Sequence, residues 1–456
     1  MGKPHVIVVP YPAQGHVIPM LELSQWLVKH GIKVTFVNTE FNHERVVKSL
    51  SDLDNVRQVV NMVSIPDGLE PWEDRNDLGK LSEAIFRVMP GELESLIIEK
   101  NINGKEGDKI VCVIADGSMG WALEVAAKIG VRRAAFWPAA ATSLALTFDI
   151  PKLVSDGIID SNGRILKNQM IQLSPTIPPM NSTNFVWACV FDQATRKIIF
   201  DMLIRTSITV KSTDWIICNS SDDLEPGTFT LFPDILPVGP LLASNRLGKS
   251  VGYFWPEDSA CLAWLDQQPI NSVIYVAFGS FTIFDQTQFE ELAQGLELTN
   301  RPFLWVVRQD ITANMDEAYP KDYKDRVHKR GLMVSWAPQQ QVLSHPSIAC
   351  FISHCGWNST VEGIGNGVPF ICWPYFADQF ANQTYICDEW KIGLGLSKDE
   401  CGIIRRGEIK DKLEHLLSDK SYKERVLNLQ VKTMDGVRGG CSHKNFNNFI
   451  EWIKDN

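Results

Sequence analysis

Short apolar runs of strand length alternate with helical stretches through both halves of the chain. In the first half, strands are predicted at 5–10, 33–38, 110–115, 134–137 and 215–219, and helices at 16–30, 83–100, 121–129 and 194–208. In the second half, strands are predicted at 272–280, 303–307, 332–336, 349–353 and 370–373, and helices at 285–299, 406–418, 422–433 and 442–454. This alternation predicts parallel sheets that are covered by helices on both faces.

A largely polar segment at 244–258 interrupts the alternation, and its glycines and its proline are typical of a linker. The sequence therefore predicts an α/β protein with an N-terminal domain at 1–243 and a C-terminal domain at 259–441. Each is expected to be a Rossmann-like, doubly wound parallel sheet, with the two domains facing each other across a cleft. A chain of 456 residues is long enough for two such domains.

Charge and cysteine content exclude several classes of protein. The net charge is -10 and no block of five basic residues occurs, which argues against nucleic acid as a partner. The ten cysteines show no CxxC pair and no zinc-like spacing, so we expect reduced thiols and no metal site. The N-terminus does not resemble a signal peptide, and no run of 18 apolar residues predicts a membrane span. A cytoplasmic protein without stable membrane insertion is expected.

The most specific pattern lies between Trp336 and Gln379. An apolar strand, a tight glycine turn and a helix start follow one another there. Backbone N–H groups at such a helix start, together with its dipole, bind phosphate without any lysine. The candidate side chains are two rings (Trp336, Trp357), the turn residues (His354, Gly356, Asn358, Ser359), an acid one turn into the helix (Glu362) and a polar pair at the end (Asp378, Gln379). This combination suits a nucleotide sugar.

Two further residues predict catalysis in the N-terminal domain. His16 follows the first strand at a helix start, and Asp116 follows the strand at 110–115, so both are expected at the same rim of the sheet. A histidine backed by an aspartate forms a general-base pair, since the carboxylate fixes the tautomer of the ring. Each residue alone has an ordinary alternative: His16 as a structural helix residue, and Asp116 as a helix cap.

The segment from Trp336 to Gln379 resembles, over 44 residues without a gap, the signature box of the plant family 1 UDP-sugar glycosyltransferases. This resemblance extends through most of the chain. It implies the GT-B fold, in which the last helix, here 442–456, packs back on the N-terminal domain. It also implies an inverting hexosyltransferase in which His16 is the base and Asp116 orients it. The acceptor oxygen attacks the anomeric carbon and UDP leaves, with neither a metal nor a cofactor.

The resemblance also assigns the donor site. For the nucleoside, it implies uracil stacking by Trp336, contact with the base or ribose by Gln339, and ribose binding by Glu362. For the rest of the donor, it implies diphosphate binding by His354, Asn358 and Ser359, and sugar binding by Asp378 and Gln379 with Trp357 nearby. Ser280, Ala337 and Gly356 complete the predicted donor site. Gln379 resembles glucose users, since galactose users of the family tend to carry histidine at that position. UDP-glucose is therefore the predicted donor.

The acceptor pocket is expected in the N-terminal domain, lined by loops after the strands. The candidates are Phe86, Phe136, Trp137, Thr142, Met180, Trp187 and, from the end of the box, Phe376. An apolar, aromatic pocket with a single base suits a phenol or a hydroxylated terpenoid. The resemblance adds flavonoids and other plant secondary metabolites and hormones, without separating these classes.

Other interpretations stay open at this point. A nicotinamide-dependent dehydrogenase would also use Rossmann-like halves, but no GxGxxG motif follows any predicted strand. A non-catalytic UDP-sugar-binding protein would keep the box without the chemistry, and the presence of both His16 and Asp116 argues against it. Trp336 and Trp357 could be core aromatics. A monomer is the default expectation.

Overall fold

The structure of the protein, a computed structural model, describes residues 3–49, 60–104, 109–189, 192–242, 254–255, 257–312 and 318–455. The chain divides into two compact units. The first unit consists of Met1–Phe254, Phe376–Asp378 and Thr433–Asn456, and the second consists of Trp255–Tyr375 and Gln379–Lys432.

The unit boundary near the C-terminus differs from the one that the sequence suggests. We expected the change of domain at 441, whereas the chain passes between the units at Lys432 and Thr433, inside the helix Lys420–Arg438. Because an uninterrupted helix crosses this position, no turn-forming residue marks it. Of the predicted linker at 244–258, residues 244–253 and 256 lie outside the described residues.

The first unit is built around a parallel sheet. Its strands in chain order are β1 (His5–Val9), β2 (Lys33–Thr39), β3 (Asn61–Ile65), β4 (Ile110–Asp116), β5 (Arg132–Trp137), β6 (Met170–Ile171), β7 (Met180–Asn181), β8 (Trp215–Cys218) and β9 (Ile235–Pro237). Its helices before residue 254 are α1 (Gln14–Lys29), α2 (Glu40–Ser49), α3 (Leu78–Asn103), α4 (Gly120–Lys128), α5 (Ala141–Ser155), α6 (Gln193–Lys211) and α7 (Pro226–Leu231). Across the described ranges, the sheet order is β3-β2-β1-β4-β5-β8-β9, and β6 pairs separately with β7.

Local sequence explains these elements. All five residues of β1 are buried, as expected for a parallel strand with helices on both faces. The Asp77 carboxylate caps α3 by accepting a hydrogen bond from the Lys80 N–H, and Asp192 caps α6 in the same way. Near the C-terminus, Phe446 and Phe449 join the hydrophobic core that β1, β2 and α1 form.

The strand order places the ligand-binding edge of the first unit. The order reverses between β1 and β4, and in doubly wound sheets ligands bind at the carboxyl ends of the strands where this reversal occurs. His16 lies in the first turn of the helix after β1, and Asp116 is the last residue of β4. Both candidate catalytic residues therefore lie at this switch point.

The second unit repeats the plan on a smaller scale. Its strands are β10 (Val273–Ala277), β11 (Phe303–Val306), β12 (Gly331–Val334), β13 (Ile348–Ser353), β14 (Phe370–Cys372) and β15 (Gly393–Gly395). The remaining helices are α8 (Ala260–Leu265), α9 (Gln286–Leu298), α10 (Tyr323–Val327), α11 (Gln339–Leu343), α12 (Trp357–Gly365), α13 (Gln379–Thr384), α14 (Arg406–Ser418), α15 (Lys420–Arg438) and α16 (Cys441–Lys454), the last in the first unit. The parallel order β12-β11-β10-β13-β14-β15 has its switch point between β10 and β13.

Several predicted elements need correction. The strand predicted at 272–280 ends at Ala277, because Gly279 adopts a φ of 67° and turns the chain. The helix predicted at 422–433 extends over Lys420–Arg438. The sequence did not predict α5, because most of its residues are buried and it lacks the polar face that reveals a helix by its periodicity.

No helix in the described ranges combines the length and the apolar character needed to cross a bilayer.

Candidate active site

The structure brings His16 and Asp116 into direct contact. Nδ1 of His16 lies 2.7 Å from Oδ2 of Asp116. The Asp116 side chain is fully buried, whereas 31% of the His16 side-chain surface is exposed. The imidazole can therefore reach a ligand while the carboxylate behind it cannot. When Asp116 accepts the Nδ1–H, Nε2 of the neutral ring is left to accept a proton.

The surroundings fix this pair and set its basicity. The other oxygen of Asp116 accepts a hydrogen bond from the Ser118 N–H at 2.8 Å, so the carboxylate cannot rotate away. Burial lowers the pKa of His16, but the charge and hydrogen bond of Asp116, with a smaller contribution from Asp378, outweigh it and raise the pKa above 6.5. A base with a raised pKa takes a proton more readily.

Tyr11 is a neighbour of the pair that the sequence did not single out. Its ring centroid lies 5.2 Å from that of His16, and its hydroxyl lies 3.3 Å from Oγ of Ser82 on α3. The buried ring thus limits the rotation of the imidazole. Only its proximity to the motif around His16 could have suggested this role.

In the second unit, the residues of the predicted anion site lie on the turn between β13 and α12. Cys355 adopts a left-handed φ of 65°, and Gly356 precedes the first residue of α12. The His354 ring lies between two glycines, since a Cβ at Gly279 or Gly356 would come within 2.6 or 2.5 Å of its Nε2. Any side chain at either glycine would displace the imidazole. The loops after β10 and β13 therefore meet around His354 at the switch point.

His354 is neutral at ordinary pH. Burial, together with the positive charge of Arg308, lowers the pKa of His354 to about 4. Its Nδ1 is buried and makes no hydrogen bond within the described part of the chain. An unsatisfied buried nitrogen is costly, and a bound ligand could satisfy it. Arg308 was not among the candidates predicted from sequence.

Glu362 lies in a hydrogen-bonded network on α12. Its Oε2 accepts from Nε2 of Gln339 at 2.6 Å, and its Oε1 accepts from Nε2 of Gln340 at 3.0 Å. Nε2 of Gln339 also lies 2.9 Å from Oγ of Ser359, and the Tyr275 hydroxyl donates to Oε1 of Gln339 at 3.2 Å. The structure therefore joins three predicted donor-site residues. Gln340 and Tyr275 were missed, since nothing in their spacing marks them.

Replacing Glu362 by glutamine should weaken UDP binding about tenfold to a hundredfold. The new amide would place an N–H₂ group against the amide donors of Gln339 or Gln340, so the network could not close. Calorimetric titration with UDP measures the effect. Glu291→Gln is the matched control, because Glu291 is also buried but accepts hydrogen bonds from Arg406 instead. An equal loss of affinity in both variants would contradict a role for Glu362 in the donor site.

The two tryptophans of the predicted donor site are largely buried. Trp336 is 7% exposed and stacks on Trp255, with centroids 4.9 Å apart and an interplanar angle of 22°. Trp357 begins α12 and lies 6.4 Å from Trp390. Partner rings thus fix the orientation of both indoles. Stacking of Trp336 on uracil stays a prediction. Trp255, which the structure places against Trp336, was not among the residues predicted from sequence.

The remaining donor candidates lie on the connections between elements. Gln379 begins α13, and its Oε1 accepts the Tyr375 N–H at 2.7 Å, which fixes the orientation of the amide. Asp378, one residue earlier, belongs to the first unit together with Phe376. Ser280 follows β10, and Ala337 precedes α11. Asn358 occupies the second position of α12. The donor-binding roles of these residues stay predictions.

The structure separates the acceptor candidates into two groups. Phe136 and Trp187 are fully buried in hydrophobic cores, so neither presents surface to a ligand in this conformation. Trp137 and Thr142 are also buried, with Nε1 of Trp137 donating to the Ala140 carbonyl at 3.0 Å. The partly exposed candidates are Phe86, Met180 and Phe376. Residue type alone could not distinguish core rings from pocket rings.

Comparisons with known proteins identify the family of the chain. A family model described as UDP-glucoronosyl and UDP-glucosyl transferase matches residues 256–435, and one described as glycosyltransferase, N-terminal domain, matches residues 3–62. UDP-glycosyltransferase 83A1 of Arabidopsis thaliana is 50% identical, over 100% of this chain and 97% of that protein. The 7-deoxyloganetin glucosyltransferase of Gardenia jasminoides is 33% identical, over 98% of this chain and 97% of that protein.

A solved structure extends the likeness to the fold. It shows a UDP-glucosyltransferase from Polygonum tinctorium, capable of glucosylating indoxyl, in complex with 3,4-dichloroaniline. The match has a TM-score of 0.83 at 27% identity and covers 100% of this chain and 99% of that chain. Together with the identity of 50% to a full-length relative, this shows that the chain belongs to plant family 1 of the UDP-glycosyltransferases and is a glycosyltransferase with the GT-B fold.

Proposed function

We propose that this UDP-glycosyltransferase of small molecules transfers glucose from UDP-glucose to a hydroxyl of a small, largely apolar acceptor with inversion at the anomeric carbon. The observation that carries the mechanism is the His16–Asp116 pair, in which a partly exposed imidazole is backed by a buried carboxylate at 2.7 Å. His16 takes the proton of the acceptor hydroxyl, and the oxygen displaces UDP from the sugar. A single displacement converts the α-linked donor into a β-glucoside.

The donor site supports UDP as the leaving group. The helix start at α12 offers backbone N–H groups, and neutral His354 adds a ring nitrogen without its own charge. Developing negative charge on the diphosphate would be stabilised by these dipoles. The hydrogen-bonded pair of partly buried Gln339 and buried Glu362 provides oriented groups for the hydroxyls of a ribose.

Glucose is the sugar that Gln379 favours. Its amide is held by the Tyr375 N–H and can hydrogen-bond to sugar hydroxyls without a charge. The names of the Gardenia and Polygonum relatives also specify glucosyl transfer, at 33% and 27% identity. The acceptor class rests on the partly exposed Phe86, Met180 and Phe376, which suit an apolar aromatic or terpenoid skeleton.

A donor and acceptor panel tests the proposal. The wild type should turn over UDP-glucose about tenfold faster than UDP-galactose, as a misplaced hydroxyl leaves one polar group of the site unpaired. Gln379→His should reduce that preference, whereas Gln383→His on the same helix should not. Mass spectrometry identifies glucosylated phenols and terpenoids, and NMR assigns the anomer.

Three results would count against the proposal. They are faster transfer from UDP-galactose than from UDP-glucose, an α-linked product, and UDP binding without transfer to any acceptor, which would favour a non-catalytic binding protein. Independence from metal is part of the proposal, so added EDTA should leave turnover unchanged.

A further inference from the structure

Arg308 is a buried cation beside the proposed donor site. It follows β11 and is only 3% exposed. Its Nη1 donates to the Gly279 carbonyl, its Nη2 donates to the Thr282 carbonyl at 2.8 Å, and its Nε donates to Oδ1 of Asp310 at 2.9 Å. All three nitrogens of the guanidinium therefore have partners.

The two carbonyls belong to the loop that follows β10. This loop contains Ser280 and Gly279, and the left-handed backbone of Gly279 lies against the His354 ring. A planar guanidinium that holds two carbonyls three residues apart fixes their separation and direction, which a flexible lysine could not do. Arg308 thus positions the loop, and through Gly279 it positions the imidazole.

Within the part of the chain that the structure describes, the charge of Arg308 is only partly compensated. Asp310 is its acidic partner, and the Asp310 side chain is 57% exposed, so water screens that carboxylate more than it screens the buried guanidinium. The effect of Arg308 on the protonation of His354 shows the direction of the resulting field. The charge of Arg308 therefore adds positive potential at the turn between β13 and α12. A diphosphate would be stabilised there without touching the arginine.

We propose that Arg308 is a positioning residue of the donor site, which holds the Gly279–Thr282 loop and provides the positive potential that favours the diphosphate. The proposal rests on the proposed function, because it assumes that UDP binds at this turn. It explains how a site without an exposed lysine or arginine in its predicted donor set can bind a strongly anionic group.

The test compares two substitutions at Arg308 by calorimetric titration with UDP. Arg308→Met removes the charge and the three donors, and should weaken UDP binding about tenfold or more. Arg308→Lys keeps the charge but cannot hold both carbonyls, and should cause a smaller loss, about threefold. The matched control is Arg132→Met, since Arg132 also donates to backbone carbonyls, those of Trp452, Ile453 and Asp455 in the first unit. This control should bind UDP like the wild type.

A second readout separates the field from mere structural support. Histidine NMR titration, assigned with His354→Gln, should show that the pKa of His354 rises in Arg308→Met and stays near the wild-type value in Arg308→Lys. Among the described residues, Arg308 is the charged group that lowers the pKa of His354, and Asp310 is the ion-pair partner of Arg308. A structural defect alone would affect both variants alike.

The outcomes are distinct from those that test the enzyme's function. Failure of the wild type to bind UDP would refute the donor assignment itself. Wild-type UDP affinity in Arg308→Met, or equal losses in the methionine and lysine variants, would overturn the proposal for Arg308 alone. If Arg308→Met does not fold, the UDP affinity of Arg308→Lys is the deciding measurement. An affinity equal to that of the wild type would then refute the role of the planar guanidinium in holding the two carbonyls.

Discussion

His16→Ala should lower kcat about 10³-fold, while the dissociation constant of UDP stays unchanged. Nε2 of His16 is the proposed proton acceptor, and alanine has no group that can replace it. The imidazole lies in the first unit, whereas the proposed UDP-binding residues around His354 lie in the second, so the affinity for UDP should not depend on the imidazole. Steady-state kinetics with UDP-glucose and an identified acceptor gives kcat, and calorimetric titration gives the UDP affinity.

His30→Ala is the control for this substitution. His30 lies at the opposite end of α1, where its Nδ1 is hydrogen-bonded to the Trp26 carbonyl at 2.8 Å. Its removal should change kcat by no more than about twofold, since it contacts no proposed substrate group. If His16→Ala retained wild-type turnover, His16 would not be the base. Loss of UDP binding together with turnover would instead indicate a folding defect.

The second large effect is expected for Asp116→Asn, with a loss of kcat of about 10²–10³-fold. Asparagine has the same shape, but only one of the two polar atoms of its amide is an acceptor. The two carboxylate oxygens of Asp116 accept separately, one from the Ser118 N–H and the other from Nδ1–H of His16. One of these hydrogen bonds must be lost, and the imidazole can then adopt the tautomer that carries its proton on Nε2. A ring in that state cannot act as the base toward an acceptor hydroxyl.

The pH dependence distinguishes this explanation from a loss of stability. Turnover requires neutral His16, so kcat/KM should fall as the pH drops through the pKa of His16, which lies above 6.5 in the wild type. Asp116 raises that pKa and burial lowers it, so Asp116→Asn should move the acidic limb to lower pH. Asp214→Asn is the control, because Asp214 accepts the Arg133 N–H away from His16. An acidic limb that does not move in Asp116→Asn would contradict the pairing.

Much of the proposed donor site is built from residues that lie close together in the sequence. A phosphate-binding turn needs a strand, a glycine and a helix start within about a dozen consecutive residues, and all of these occur between 349 and 362. The structure places them as β13, Gly356 and α12. Such a unit is encoded locally, because its parts follow one another along the chain.

The partners of that turn were not recognisable in the same way. Gly279 and Arg308 precede His354 by 75 and 46 positions in the sequence. Neither has a residue type or spacing that marks it, since glycine and arginine occur in many loops. Gly279 packs against His354, and Arg308 donates to the Gly279 carbonyl, because β10 lies between β11 and β13 in the sheet.

The amino-acid pattern alone determined the class of the fold and the residue types at the two switch points, since apolar periodicity and turn residues act over short stretches of chain. Tertiary structure decided which side chains meet. It placed Nδ1 of His16 within 2.7 Å of a carboxylate 100 residues away, and it assigned Phe136 and Trp187 to the cores rather than to a pocket. The physical reason is that strand order and packing, not distance along the chain, determine which groups share a buried environment and so acquire a shifted pKa or an oriented hydrogen bond.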